Sequence, residues 1–240
     1  MRQSLTQFPR KVLEWVQDVV WPEQALCLCC HKVLRRVDEV LQPGTPDPLL
    51  CIECLEALQK EASAEGLTTA GLFLETVSVF PYTGNARELV LALKHGTVSA
   101  AAKVLVSFLA DRAKEIRRLP PDTVITWVTM PPDRKRERCI DHGKLLAQGV
   151  ADALGMECRP LLSRKSGGHT QQGLNAEARK QNVKGRFTVC DGPLPASVLL
   201  IDDVLTTGST LEECAKVLRA AGVREVRGIT VCKTKKGATV

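Results

Sequence analysis

Residues 198–210 read Val198-Leu199-Leu200-Ile201-Asp202-Asp203-Val204-Leu205-Thr206-Thr207-Gly208-Ser209-Thr210. The four leading apolar residues suit a short parallel strand covered on both faces. Asp202 and Asp203 follow where that strand emerges, and open α/β sheets bind ligands at the carboxyl ends of their strands. Thr206, Thr207, Gly208, Ser209 and Thr210 contain no large side chain, so their N–H groups and hydroxyls can close around an anion. A helix expected over 211–221 adds its positive N-terminal end. The run reads as a phosphate-and-ribose site. A threonine helix cap would explain one hydroxyl, but not two adjacent acids followed by Thr-Thr-Gly-Ser-Thr.

Outward from this run, strand and helix patterns alternate. Strands are expected over 75–82, 123–130, 157–162 and 225–232, and helices over 86–95, 100–118 and 144–154. Gly222 stands where a glycine ends the helix before the last strand. The alternation implies an α/β fold: a mostly parallel sheet with helices on both faces.

Upstream, Cys27-x-x-Cys30 and Cys51-x-x-Cys54 stand 20 residues apart, the spacing of paired zinc knuckles. Cys29 and His31 lie inside or beside the first knuckle as alternative donors, although Cys27 and Cys30 have the better spacing. The Pro- and Gly-rich stretch 42–48 between the pairs cannot build its own core, so bound Zn2+ would supply the folding energy. The other cysteines are scattered singles that read as small buried hydrophobes. A short helix over 55–64 and a turn-rich segment over 66–71 complete an N-terminal module of residues 1–71, leaving 72–240 as the larger domain.

The chain has 240 residues and a net charge of +6. Residues 1–75 contain 7 basic and 11 acidic residues, so this part carries −4 and the remainder +10. The positive field belongs to the C-terminal domain, where Arg134-Lys135-Arg136 with Arg138, and Arg164-Lys165, fall between expected elements. Such loops can meet pyrophosphate or a nucleic-acid backbone. Aromatics make up 4% of the chain, and Phe80, Tyr82, Phe108, Trp127 and Phe187 fall mostly within expected strands or helices. That argues against a base-stacking platform and leaves phosphate contacts as the mode for DNA. No apolar run is long enough for membrane insertion, and the N-terminus lacks a signal-peptide pattern, so a cytoplasmic location is expected.

The Asp202–Thr210 run resembles the PRPP (phosphoribosyl pyrophosphate) motif of type I phosphoribosyltransferases. That resemblance implies ribose hydroxyls on Asp202 and Asp203, and the 5′-phosphate on Thr206, Thr207, Gly208, Ser209 and Thr210. The wider set looks like the ComF family of competence proteins. It comprises the four-Cys module, Leu93-Lys94-His95-Gly96, Arg136-Glu137-Arg138, Gln171-x-Gly173-Leu174, Arg179-x-x-Asn182-Val183-x-Gly185-x-Phe187 and the Asp-Asp loop. The resemblance implies a type I phosphoribosyltransferase-like sheet preceded by a small four-Cys zinc-binding module. Two stretches depart from the family pattern: Arg138-Cys139-Ile140-Asp141-His142 and Thr126-Trp127-Val128-Thr129-Met130-Pro131.

By the same resemblance, residues 164–173 take the place of the mobile loop that closes over PRPP. Arg164, Lys165 and His169 are then the candidates for stabilising departing pyrophosphate, and Mg2+ is expected with PRPP. The family implies natural transformation, with DNA uptake, single-stranded DNA handling and a competence-machinery partner. An active phosphoribosyltransferase of nucleotide salvage and a PRPP-sensing regulator are the alternatives. Fold does not choose among them, and the question of enzymatic turnover stays open.

Overall fold

The computed structural model describes residues 25–34, 49–63, 67–95, 98–116, 119–130, 140–165 and 183–234. β1 (Ala25–Leu26) and β2 (Val33–Leu34) form a small antiparallel pair. The centre is a five-stranded sheet of β3 (Leu67–Ala70), β4 (Glu75–Pro81), β5 (Val124–Trp127), β8 (Ser197–Leu205) and β9 (Glu225–Lys233), in the order β3-β4-β9-β8-β5. β4, β9, β8 and β5 are mutually parallel, and β3 runs antiparallel at the edge.

Two of the observed strands depart from the expected pattern. Residues 67–70, expected in a turn-rich segment, form β3 and pair with β4 in the main sheet. The expected boundary at 71/72 falls in the tight turn joining them, where the Gly71 N–H donates to Leu74 O. The strand expected over 157–162 is broken. Residues 157–159 line the β5 edge through Ile125 N to Glu157 O and Arg159 N to Ile125 O. Pro160, with no N–H to give, ends that pairing. The chain then leaves the sheet as β6 (Leu162–Arg164), which pairs with β7 (Phe187–Val189).

The helices α1 (Ile52–Ser63), α2 (Gly84–His95), α3 (Val98–Glu115), α4 (His142–Leu154) and α5 (Ser209–Ala220) cover both faces. Strand alternation separates the two cores. Leu199 and Ile201 of β8 pack with Leu89 and Leu93 of α2, Leu105 of α3 and Leu146 of α4. Val198 and Leu200 pack with Leu211, Cys214 and Leu218 of α5 and with Phe187 of β7. The first core also takes in Cys27, Leu28, Cys29, Cys54 and Leu58, so the four-Cys module shares the core of the larger domain. Gly222 ends α5 with φ 105°, and its paired bonds, Gly222 N to Arg219 O and Val223 N to Leu218 O, make the expected glycine stop.

Candidate phosphoribosyl site and metal centre

β8 delivers Asp202 and Asp203 at the carboxyl edge of the sheet, and the period of two sends them to opposite faces. Asp202 falls on the α5 side with Val198 and Leu200, and Asp203 on the α2 side with Leu199 and Ile201. Each carboxylate also braces the local backbone: Asp202 Oδ1 accepts from Asp203 N at 2.9 Å, and Asp203 Oδ1 from Val204 N at 2.6 Å.

The loop that follows ends at Gly208, whose φ of 77° is a left-handed conformation open to glycine. Gly208 is the N-cap of α5, and no side chain caps that end. Ser209 N approaches Thr207 Oγ1 at 3.4 Å, and the other first-turn N–H groups, which side chains ordinarily satisfy, are available to an anion. The Thr207 and Ser209 hydroxyls are hydrogen-bonded to each other at 2.9 Å beside them, which leaves one of the two O–H groups to turn toward a ligand.

A residue given no role by the sequence reading completes this centre. Lys94, near the end of α2, places Nζ 2.8 Å from Asp203 Oδ2, with only 20% of its side chain exposed. Burial opposes its charge, but Asp203 and then Asp202 hold its pKa above the ordinary lysine value. The Leu93-Lys94-His95-Gly96 stretch was visible as a motif. Its meeting with Asp203 is a contact across more than a hundred residues, which local pattern does not reveal.

Asp202 is the perturbed acid. Withdrawal from water raises its pKa to about 8, with the Asp203 charge adding to the effect; the Asp203 N–H, Lys94 and Arg164 pull in the other direction. Arg164 therefore lies within electrostatic reach of Asp202, its guanidinium held 5.1 Å over the Phe187 ring. Lys165, the next residue, is exposed, with its backbone N bonded to Arg186 O. His169, the Arg134-to-Arg138 run, the Gln171 motif and residues 179–182 of the last motif lie outside the described residues.

In the N-terminal module, the sulfurs of Cys27, Cys30, Cys51 and Cys54 all lie within 4.8 Å of one another. Cys30 and Cys51 are 3.6 Å apart. A tetrahedral thiolate site with metal–sulfur bonds of about 2.3 Å needs sulfurs about 3.8 Å apart, so these four residues can hold a metal ion. Burial opposes a thiolate at Cys27, yet backbone N–H groups of Cys30, Cys51 and Cys29 bring its pKa down to about 7. The alternative donors stand apart from this set. Cys29 turns its Sγ to Asn85 O at 3.6 Å, and burial pushes its thiol up to about 12. His31 is an exposed turn residue with φ 58°.

Comparison with known proteins agrees with this architecture. Residues 142–240 match the phosphoribosyl transferase domain model. The chain is 31% identical over 215 residues to DNA utilization protein YhgH of Salmonella typhi, covering 86% of this chain and 89% of that protein. The chain belongs to the ComF family. Competence protein F of Haemophilus influenzae is 27% identical over 209 residues (85% and 89% of the two chains). Competence protein ComFC of Streptococcus pneumoniae is 22% identical over 211 residues (88% and 89%). This ComF chain thus has a type I phosphoribosyltransferase-like fold with a four-Cys module at its N-terminal side. Among the described residues no helix is long and apolar enough to cross a membrane.

Proposed function

We propose that this ComF chain binds PRPP, or another phosphoribosyl group, at residues 202–210. In this reading it acts in natural transformation, in the uptake and handling of single-stranded DNA. The observation that carries the reading is the uncapped start of α5 at Gly208, set beside two acids that face opposite sides of the sheet edge. The loop takes the 5′-phosphate and the acids take ribose hydroxyls. Relatives named for competence and for DNA utilization support the biological setting.

The four cysteines hold Zn2+ as a structural ion, since an all-thiolate tetrahedral set favours that metal. Mg2+ accompanies the diphosphate of PRPP. The protein works in the cytoplasm with a partner from the competence machinery. DNA meets phosphate-binding cations of the C-terminal domain around Arg134 to Arg138 and Arg164-Lys165. The −4 carried by residues 1–75 makes the N-terminal module the poorer surface for it.

A second reading, phosphoribosyl transfer in nucleotide salvage, is favoured by Arg164 lying near Asp202. A fixed guanidinium there can stabilise charge on departing pyrophosphate, with Lys165 and His169 as further candidates. Calorimetric titration with PRPP and Mg2+ tests the binding proposal. Wild type gives saturable heat, and the double variant Asp202→Asn, Asp203→Asn binds at least about tenfold more weakly, from the loss of roughly 1–3 kcal/mol per ribose hydrogen bond. Equal affinities would refute the assignment.

A further inference from the structure

α2 packs on one face of the sheet and crosses its strands. It begins at Gly84, just past the carboxyl end of β4, yet Lys94, ten residues on, touches Asp203 at the carboxyl end of β8. Ten residues of α-helix advance about 15 Å. Crossing from β4 over β9 to β8 requires about 10 Å at the usual strand spacing. α2 therefore crosses one face of the sheet obliquely, from β4 over β9 toward β8. Its first turn is held at the four-Cys module by Cys29 Sγ against Asn85 O, and Leu89 and Leu93 are fully buried beneath it. The helix is held along this path, and Lys94 is the cation it delivers.

The two faces of the sheet give this cation a defined place relative to a bound sugar phosphate. The anion cradle of residues 206–210 leads into α5 on one face, whereas Lys94 arrives with α2 from the other. In a ribose ring, carbons 4 and 1 flank the ring oxygen, and the hydroxyls of carbons 2 and 3 occupy the opposite edge. If those hydroxyls rest on Asp202 and Asp203, and the arm from carbon 4 reaches toward the cradle, the substituent on carbon 1 points away from the cradle. That direction is toward α2.

We propose that Lys94 is a ligand-binding residue of this site, whose ammonium meets the anionic group on ribose carbon 1 and so selects ribosyl 1-diphosphates over ribose 5-phosphate. In the ligand-free chain the same ammonium is stored on Asp203 at 2.8 Å, largely out of water. Little ordering cost therefore remains when the ligand arrives. A lysine suits the task because its compact charge can turn from a carboxylate to a phosphate oxygen without matching a fixed fork. The cluster of two acids with Lys94 and Arg164 is also close to charge balance, so a dianionic group is not repelled from it.

The proposal rests on the phosphoribosyl reading, and the experiment separates the two. PRPP with Mg2+ and ribose 5-phosphate are each titrated calorimetrically into wild type, Lys94→Met and Lys94→Arg. Wild type prefers PRPP. Lys94→Met loses about tenfold or more in PRPP affinity while ribose 5-phosphate changes less than about threefold, because an ammonium–phosphate contact disappears from one ligand alone. Lys94→Arg keeps the charge beside Asp203 and retains part of the preference; should Lys94→Met fail to fold, a drop of at least about threefold in the arginine variant's preference is the supporting result. Equal losses for both ligands would make Lys94 a prop for Asp203 and overturn the proposal, as would an unchanged preference. If wild type binds neither ligand, the phosphoribosyl reading itself falls and Lys94's role with it, a result seen before any variant is made.

Discussion

Trp127 donates its indole Nε1–H to the Asp141 carboxylate at 3.3 Å, joining the two stretches in which the chain departs from the ComF pattern. The other oxygen of Asp141 accepts from Lys144 N at 3.2 Å and caps α4. One aspartate thus ties the end of β5 to the start of α4, beside the strand that carries the acid pair.

Asp141→Ala should therefore cost about 1–2 kcal/mol, the loss of a helix cap with an indole partner in addition. Asp141→Asn, which keeps an accepting oxygen, should cost less. Urea denaturation measures both. In a double-mutant cycle, Asp141→Ala and Trp127→Phe should be non-additive; simple additivity would show that the contact contributes nothing.

The acid pair predicts a pH signature. Asp202 has its pKa raised from 3.8 to about 8 by withdrawal from water and by Asp203. The folded chain therefore holds this proton more tightly than the unfolded chain. Its stabilising contribution is complete below about pH 4 and is lost as pH rises through about 8. Asp202→Asn cannot lose that proton, so the variant should gain stability over wild type between pH 5 and pH 9. Thermal melts of both proteins across that range test it, and parallel curves would remove Asp202 as the cause.

The four thiolates predict one tightly bound zinc per chain. Because Cys27, Cys54 and Leu58 belong to the same core as Leu89 and Leu93, metal loss should destabilise the whole molecule as well as its N-terminal part. Metal analysis together with circular dichroism of the quadruple Cys→Ser variant decides the point. Normal folding without metal is the adverse outcome.

DNA binding, where it occurs, should weaken steeply between 50 mM and 200 mM salt, as expected for phosphate contacts. Lys165→Glu should lower affinity by about two- to fivefold, with a further loss on Arg134→Glu. Lys32→Glu should have little effect, because Lys32 is already paired with Glu53 at 2.6 Å in the acidic module. Fluorescence anisotropy with an oligothymidylate reads all three variants.

The centre of the fold was legible because its signals are local. An apolar run, two acids and a small-residue turn specify strand, edge and turn within thirteen residues, and Cys spacing brought four sulfurs together. Signals spread across the chain were not legible. β3 looked like a Gly- and Thr-rich turn because its strand character comes from pairing with β4, and the 157–162 strand was cut short by Pro160 once β5 had used residues 157–159. Lys94 carried no local sign of a role for the same reason: its partner is supplied by the tertiary path of α2 across the sheet.

The most direct measurement is a crystal structure of the chain with PRPP and Mg2+ bound. The 5′-phosphate should sit within hydrogen-bond reach of the backbone N–H groups and hydroxyls of Thr206 to Thr210, the ribose hydroxyls on Asp202 and Asp203, and the diphosphate beside Lys94. A ligand seated elsewhere, or no ligand in this loop at saturating concentration, would contradict a phosphoribosyl site at the end of β8.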